Sequence, residues 1–213
     1  PESVHLQADY TYAPSGNFPK RYHETYSLGF YATRYQALMG VLFGSKNQNK
    51  HVVLMGHSEG ARIAAIVGHH PAVDQVVCLS ANPFGRQAGI ILEQRLGHRP
   101  ASDDPLAWDI PQRGQWDTLH DSRSFHAPMI NRLLELQKPL FIGYGTLDYG
   151  ALDNDKLPIL FGDAGKSRWL TLRTWEGRGH NFFGRTPEGE IDYADYYWDA
   201  VWAEIVTWIR KPA

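Results

Sequence analysis

The stretch His51-Val52-Val53-Leu54-Met55-Gly56-His57-Ser58-Glu59-Gly60, running directly into Ala61-Arg62-Ile63-Ala64-Ala65-Ile66-Val67, decides the fold. His51 to Met55 is a short apolar run, as expected of a strand buried on both faces of a parallel sheet. Ala61 to Val67 is rich in helix formers and small residues, and it stops before Pro71. Between strand and helix lies Gly56-His57-Ser58-Glu59-Gly60, a G-x-S-x-G. That pattern alone arises by chance in about one chain in fifteen of this length, so its specificity comes from its position. A serine at a tight strand-to-helix turn is forced into strained backbone angles, and glycines two residues to either side let the chain pass itself without a Cβ clash. The Oγ then stands clear of the sheet, with the helix N-terminus and the N–H of Glu59 facing any oxyanion that forms.

Outward from this turn, apolar stretches alternate with helical patterns, which predicts an α/β fold with a mainly parallel sheet flanked by helices. Val4 to Tyr12 reads as a strand, Ala13 to Pro19 as a loop, and Glu24 to Phe43 as a helix. Leu28, Tyr31, Ala32, Tyr35, Leu38, Met39 and Leu42 lie on one face of that helix. Gln75 to Leu79 reads as another buried strand. From Asn82 to about Met129 the pattern loosens, with five Pro and several Asp, and a cap or lid insertion over about 82–129 is expected there. Pro139 to Tyr144 and Arg168 to Thr174 resume the sheet. The chain closes with a predicted helix from Tyr193 to Ile209, whose apolar face carries Tyr197, Trp198, Val201, Trp202, Ile205, Trp208 and Ile209.

Composition narrows the classes of function. The chain has 213 residues, 21 Lys+Arg against 23 Asp+Glu, 43% hydrophobic residues and one Cys. Such a length predicts a single domain over 1–213 that buries about 70% of the surface its unfolded chain exposes. A net charge of -2 without blocks of like charge gives no electrostatic footprint for nucleic acid or an anionic membrane surface. No apolar run reaches the ~18 to 20 residues of a membrane span, and the polar start lacks the pattern of a signal peptide. The single Cys78 rules out an intramolecular disulfide framework and a thiolate zinc site. The compartment is left open.

A serine hydroxyl is a weak nucleophile and needs a base and an orienting acid at the ends of later strands. Both follow in order. Gly145-Thr146-Leu147-Asp148 comes after the strand at 139–144, and Gly177-Arg178-Gly179-His180-Asn181 after the strand at 168–174. Asp153 and Asp155 compete with Asp148 by proximity. The chain order Ser58, Asp148, His180 is that of the α/β-hydrolase triad.

On GHSEG, GTLD and GRGHNF the sequence resembles the α/β-hydrolase superfamily, and within it the dienelactone-hydrolase and prolyl-oligopeptidase-like branches. The resemblance runs from about Val4 to the end, with 82–129 matching as the variable cap. It implies Ser58 as nucleophile, His180 as general base and later acid, and Asp148 as the group orienting His180.

Other clusters carry less. His69 and His70 point apart at a helix end and read as surface or capping groups. His57 and Glu59 open an H-x-E, but the P-C-x-x-C of a deaminase zinc site is absent. His23-Glu24 lacks its second His, no phosphate-binding glycine loop occurs, and no metal or cofactor is called for. Cys78 reads as a small core residue. His57, Trp108, Trp116 and Phe125 are candidates for a substrate pocket, the last three being equally readable as the cap's own core.

A superfamily member delivers its first oxyanion N–H from strands before the elbow, often from an H-G loop, and no H-G pair precedes Gly56. Either the chain is N-terminally shortened, with the missing strands lost or supplied by a partner chain, or Ala13 to Pro19 is the oxyanion loop of a compact variant. The first fits better, because the strand at 4–12 and its helix read as the pair directly before the elbow strand. The expected activity is a serine hydrolase working through an acyl-enzyme on small carboxylic esters. The alternatives are a peptidase of prolyl-oligopeptidase type acting on short peptides, and a non-catalytic scaffold of the same fold.

Overall fold

A computed structural model describes residues 28–43, 50–85 and 129–210, together with Ile91, Gln94 and Arg95. The predicted strand at 4–12, the loop at 13–19, and most of the 82–129 cap, including Trp108, Trp116 and Phe125, lie outside the described residues.

The elements are α1 (Leu28–Phe43), β1 (Val53–His57), α2 (Glu59–Val67), β2 (Gln75–Leu79), α3 (Met129–Glu135), β3 (Leu140–Gly145), α4 (Ala151–Asn154), α5 (Leu157–Asp163), β4 (Leu170–Trp175), β5 (Phe183–Arg185), β6 (Ile191–Tyr196) and α6 (Trp198–Ile209). Strands β1, β2, β3 and β4 form one sheet in that order, every pairing parallel. The α/β architecture is therefore as the alternating pattern predicts.

Side chains along β2 and β3 alternate between two cores, as a period of two requires. Val76, Cys78, Leu140, Ile142 and Tyr144 pack with α1, α2, α3 and α5 on one face. Val77, Leu79 and Phe141 pack on the other with Trp175, Phe182 and the α6 residues Val201, Ile205 and Trp208. Both faces are covered, so β2 and β3 are buried throughout.

Several boundaries differ from the sequence reading, each for a physical reason. The elbow strand begins at Val53 rather than His51, because the Val52 N–H donates to the Asp74 carboxylate at 2.9 Å instead of joining a ladder. It is also less buried than expected, with Met55 38% exposed, since β1 pairs among the described residues only with β2. On α1, Ala32 and Met39 are buried and Tyr35 and Phe43 pack against them, while Leu42 is 51% exposed. The last helix begins at Trp198, not Tyr193. Ile191 to Tyr196 instead pairs antiparallel with β5, and the rings of Tyr193 and Tyr196 pack against Phe183 at 5.3 and 5.8 Å. On α6, Trp202 is 43% exposed and contributes little to the apolar face.

Candidate active site

The site forms at the carboxyl ends of β1, β3 and β4. Ser58 follows β1 with φ 57 and ψ −119, a left-handed conformation costly for a residue with a Cβ. Its N–H donates to the Leu79 carbonyl at 2.8 Å, extending the parallel ladder by one residue before the chain turns into α2. Gly56 permits the turn, since a Cβ there would lie 2.0 Å from the Gly60 carbonyl oxygen. Gly60 departs from the expectation: a Cβ there would meet no described atom within 4 Å. The crossing is tight from one side only. Glu59 opens α2, so its backbone N–H belongs to the first turn at the positive end of the helix.

Asp148 ends a turn closed by its own N–H donating to the Gly145 carbonyl at 3.0 Å. This turn and the one bearing His180 are laced together. Leu147 donates to the Arg178 carbonyl at 2.9 Å and Gly177 to Thr146 Oγ1 at 2.9 Å, and a Cβ on Gly145 would strike the Arg178 carbonyl oxygen at 2.0 Å. Arg178 in turn pairs with Asp195 and lies 4.3 Å above the Tyr197 ring, fastening the loop to the β5–β6 hairpin. Phe182, fully buried at φ 58, anchors the loop from its other end among Trp175 and Trp198.

These constraints bring the three residues together. His180 Nε2 is 2.8 Å from Ser58 Oγ, and His180 Nδ1 is 3.1 Å from each oxygen of Asp148. The Asp148 side chain is fully buried and also accepts the Gly150 N–H at 3.0 Å. The competing carboxylates turn elsewhere: Asp155 accepts from the Tyr144 hydroxyl at 2.5 Å, and Asp153 pairs with Lys156 at 2.9 Å.

His57 is partly buried and tied into the same site. Its Nε2 donates to the His180 carbonyl at 2.9 Å, and its ring lies 5.4 Å from Trp198 and 6.0 Å from Phe182. Burial pushes its pKa below the ordinary histidine value, so the ring is neutral at pH 7. Burial pushes the Cys78 thiol up to about 12, in keeping with an inert core residue.

Two neighbours were missed from sequence. Tyr149 stacks on His180 at 4.6 Å and 27°, its hydroxyl 3.4 Å from Nε2. Ser80 donates its hydroxyl to the His180 carbonyl at 2.7 Å. Tyr149 was findable from its place directly after Asp148; Ser80 gave no signal beyond following a strand. Among the described residues no cluster of three metal-ligating side chains exists, and no helix is long and apolar enough to cross a membrane.

A parallel sheet with a left-handed serine elbow after one strand and Asp and His turns after two later ones is the α/β-hydrolase fold, and the chain has it. No family model and no curated protein matches the sequence. In fold, solved structures are similar. Est1E from Butyrivibrio proteoclasticus is 16% identical with a TM-score of 0.53, covering 87% of this chain and 70% of that one. A Staphylococcus aureus protein is 13% identical with a TM-score of 0.58, covering 88% and 61%. The peroxisomal α/β-hydrolase Lpx1 of Saccharomyces cerevisiae is 12% identical with a TM-score of 0.51, covering 88% and 63%. The chain thus spans less than two thirds of the length of two of these three proteins.

Proposed function

We propose that this chain is a serine hydrolase that cleaves small carboxylic esters through an acyl-enzyme. The observation carrying the reading is the continuous hydrogen-bond path from Ser58 Oγ through the His180 ring to Asp148, built on a serine held at positive φ. Ester substrates are favoured by the likeness to Est1E, which has been solved with ferulic acid bound.

In the proposed mechanism, Asp148 accepts the Nδ1–H of His180 and so fixes the tautomer whose Nε2 lone pair faces Ser58. Ser58 attacks the ester carbonyl carbon as Nε2 takes its proton, and the resulting imidazolium is stabilised by the buried carboxylate. The oxyanion develops beside the first turn of α2, where the Glu59 N–H and the helix dipole oppose its charge. On collapse the C–O bond to the alcohol breaks and Nε2 returns the proton to the departing oxygen. Water, deprotonated by the same nitrogen, then attacks the acyl-enzyme, releasing the acid and restoring Ser58.

A fluorophosphonate probe tests the assignment. Wild type is expected to label stoichiometrically and Ser58→Ala not at all. An unlabelled wild type, under conditions that label a known esterase, ends the enzyme reading; labelling of Ser58→Ala ends the residue assignment. Turnover of p-nitrophenyl acyl esters is expected to exceed that of aminoacyl anilides, and the reverse preference would make the protein a peptidase instead.

A further inference from the structure

The carbonyl oxygen of His180 accepts two side-chain hydrogen bonds: from Ser80 Oγ at 2.7 Å and from His57 Nε2 at 2.9 Å. A carbonyl has two lone pairs, so this acceptor is saturated. Both donors come from the ends of sheet strands, His57 closing β1 and Ser80 following β2 directly. His180 itself belongs to no strand; its loop is tied at Arg178 to Trp175 and Leu147, and nearer His180 only by Gly179 N–H to Phe183 and Phe182 N–H to Gly179. The only tie that fixes its own peptide unit to the rigid sheet is the doubly bonded carbonyl, among the hydrogen bonds described.

Ser80 is the more telling donor. It is 1% exposed and has φ 48, a region glycine occupies at far lower cost. Its backbone repeats, one strand over, what Ser58 does: Ser58 N–H continues the ladder to Leu79, and Ser80 N–H continues it to Gly143, both at 2.8 Å. Backbone preference alone favours glycine there. What serine adds is a hydroxyl, and that hydroxyl is spent on His180.

We propose that Ser80 and His57 are positioning residues, a two-donor clamp on the His180 carbonyl that sets the imidazole between Ser58 and Asp148. The role rests on the serine-hydrolase reading above. Neither residue touches the reacting atoms. They act by fixing the origin of a side chain whose Nε2 must meet Ser58 Oγ within a few tenths of an ångström for proton transfer.

Ser80→Gly separates positioning from structure because the two predict opposite signs. It removes the hydroxyl while relieving the positive φ, so the melting temperature should hold or rise. The clamp predicts that kcat on a p-nitrophenyl ester nonetheless falls about tenfold with KM within about twofold, the pattern of a lost positioning contact. The low-field proton resonance of His180 Nδ1–H, bonded to Asp148, should broaden in the same variant. His57→Phe, which keeps a ring between Phe182 and Trp198 but removes the donor, should broaden it too. Wild-type kcat and an unaltered resonance in Ser80→Gly would overturn the clamp. So would a melting temperature that falls along with kcat, or failure of Ser80→Gly to fold, since either makes Ser80 structural. The resonance needs no turnover, so it still tests the clamp if wild type proves unreactive toward the probe and the hydrolase reading fails.

Discussion

A Cβ on Gly56 would sit 2.0 Å from the carbonyl oxygen of Gly60, whereas a Cβ on Gly60 would meet no described atom within 4 Å. The two glycines of the elbow therefore do different things. Gly56→Ala drives a methyl into backbone that cannot yield and is expected to cost more than about 3 kcal/mol or to abolish folding. Gly60 lies in the first turn of α2 without positive φ, so Gly60→Ala gains helix propensity and should stabilise by about 0.5 to 1 kcal/mol while keeping probe labelling. Urea denaturation of both variants checks this; equal losses would mean the elbow needs both glycines.

Asp148 and Asp155 are close in sequence but opposite in use. Asp148 holds His180, and Asp155 holds the Tyr144 hydroxyl. Asp148→Asn should leave the fold intact and lower kcat by about 10⁴-fold, because an amide favours the wrong imidazole tautomer. Asp155→Asn should lower the melting temperature and leave kcat within about threefold. Steady-state kinetics beside thermal melts distinguishes the two, and a collapse of kcat in Asp155→Asn would move the proposed orienting role from Asp148 to Asp155.

The elbow, the four parallel strands and the order of Ser58, Asp148 and His180 were legible because each rests on a local signal: an apolar run, a glycine-bounded turn, a polar residue just past a strand. The β5–β6 hairpin was missed although its turn is written in Thr186-Pro187-Glu188-Gly189, where Pro and Gly occupy favoured positions of a four-residue turn and Gly189 has φ 88. The helix predicted from Tyr193 overruns the hairpin's second strand, because Tyr197 and Trp198 share the helical spacing of Val201, Trp202 and Ile205. His57 and Ser80 were illegible as partners of His180 for a different reason. Their contacts span 123 and 100 residues and involve a backbone carbonyl, which leaves no mark on residue type at the receiving end.

Cys78 is fully buried, its Sγ 3.5 Å from the Ala61 carbonyl, and its thiol is pushed up to about 12. The native protein should resist a thiol reagent at pH 8 and react stoichiometrically once unfolded in urea. Because the folded thiol holds its proton above the unfolded value of 9.0, stability is also expected to decline as pH rises past about 9. Rapid labelling of native protein would contradict the burial.

His57 sets the acid side. Burial lowers its folded pKa below 6.5, so between those two values the unfolded chain binds a proton that the folded chain does not. Stability contributed this way is full above about pH 6.5 and is lost as pH falls toward the folded value. Urea midpoints measured from pH 7.5 down to 5 should fall less steeply for His57→Phe than for wild type. Parallel slopes would show that His57 does not titrate differently on folding.

Tyr149 offers His180 two things, a ring face at 4.6 Å and a hydroxyl 3.4 Å from Nε2, and their geometry ranks them. At 3.4 Å the hydroxyl is well beyond the usual O–H hydrogen-bond distance and competes weakly with Ser58 Oγ at 2.8 Å. The stacked ring, by contrast, restrains the imidazole across its whole face, a contact worth about 0.5 to 1.5 kcal/mol. Tyr149→Phe is therefore expected to keep kcat within about twofold, while Tyr149→Ala loses about 3- to 10-fold, with both variants folded by circular dichroism. Equal losses in the two would transfer the role from the ring to the hydroxyl.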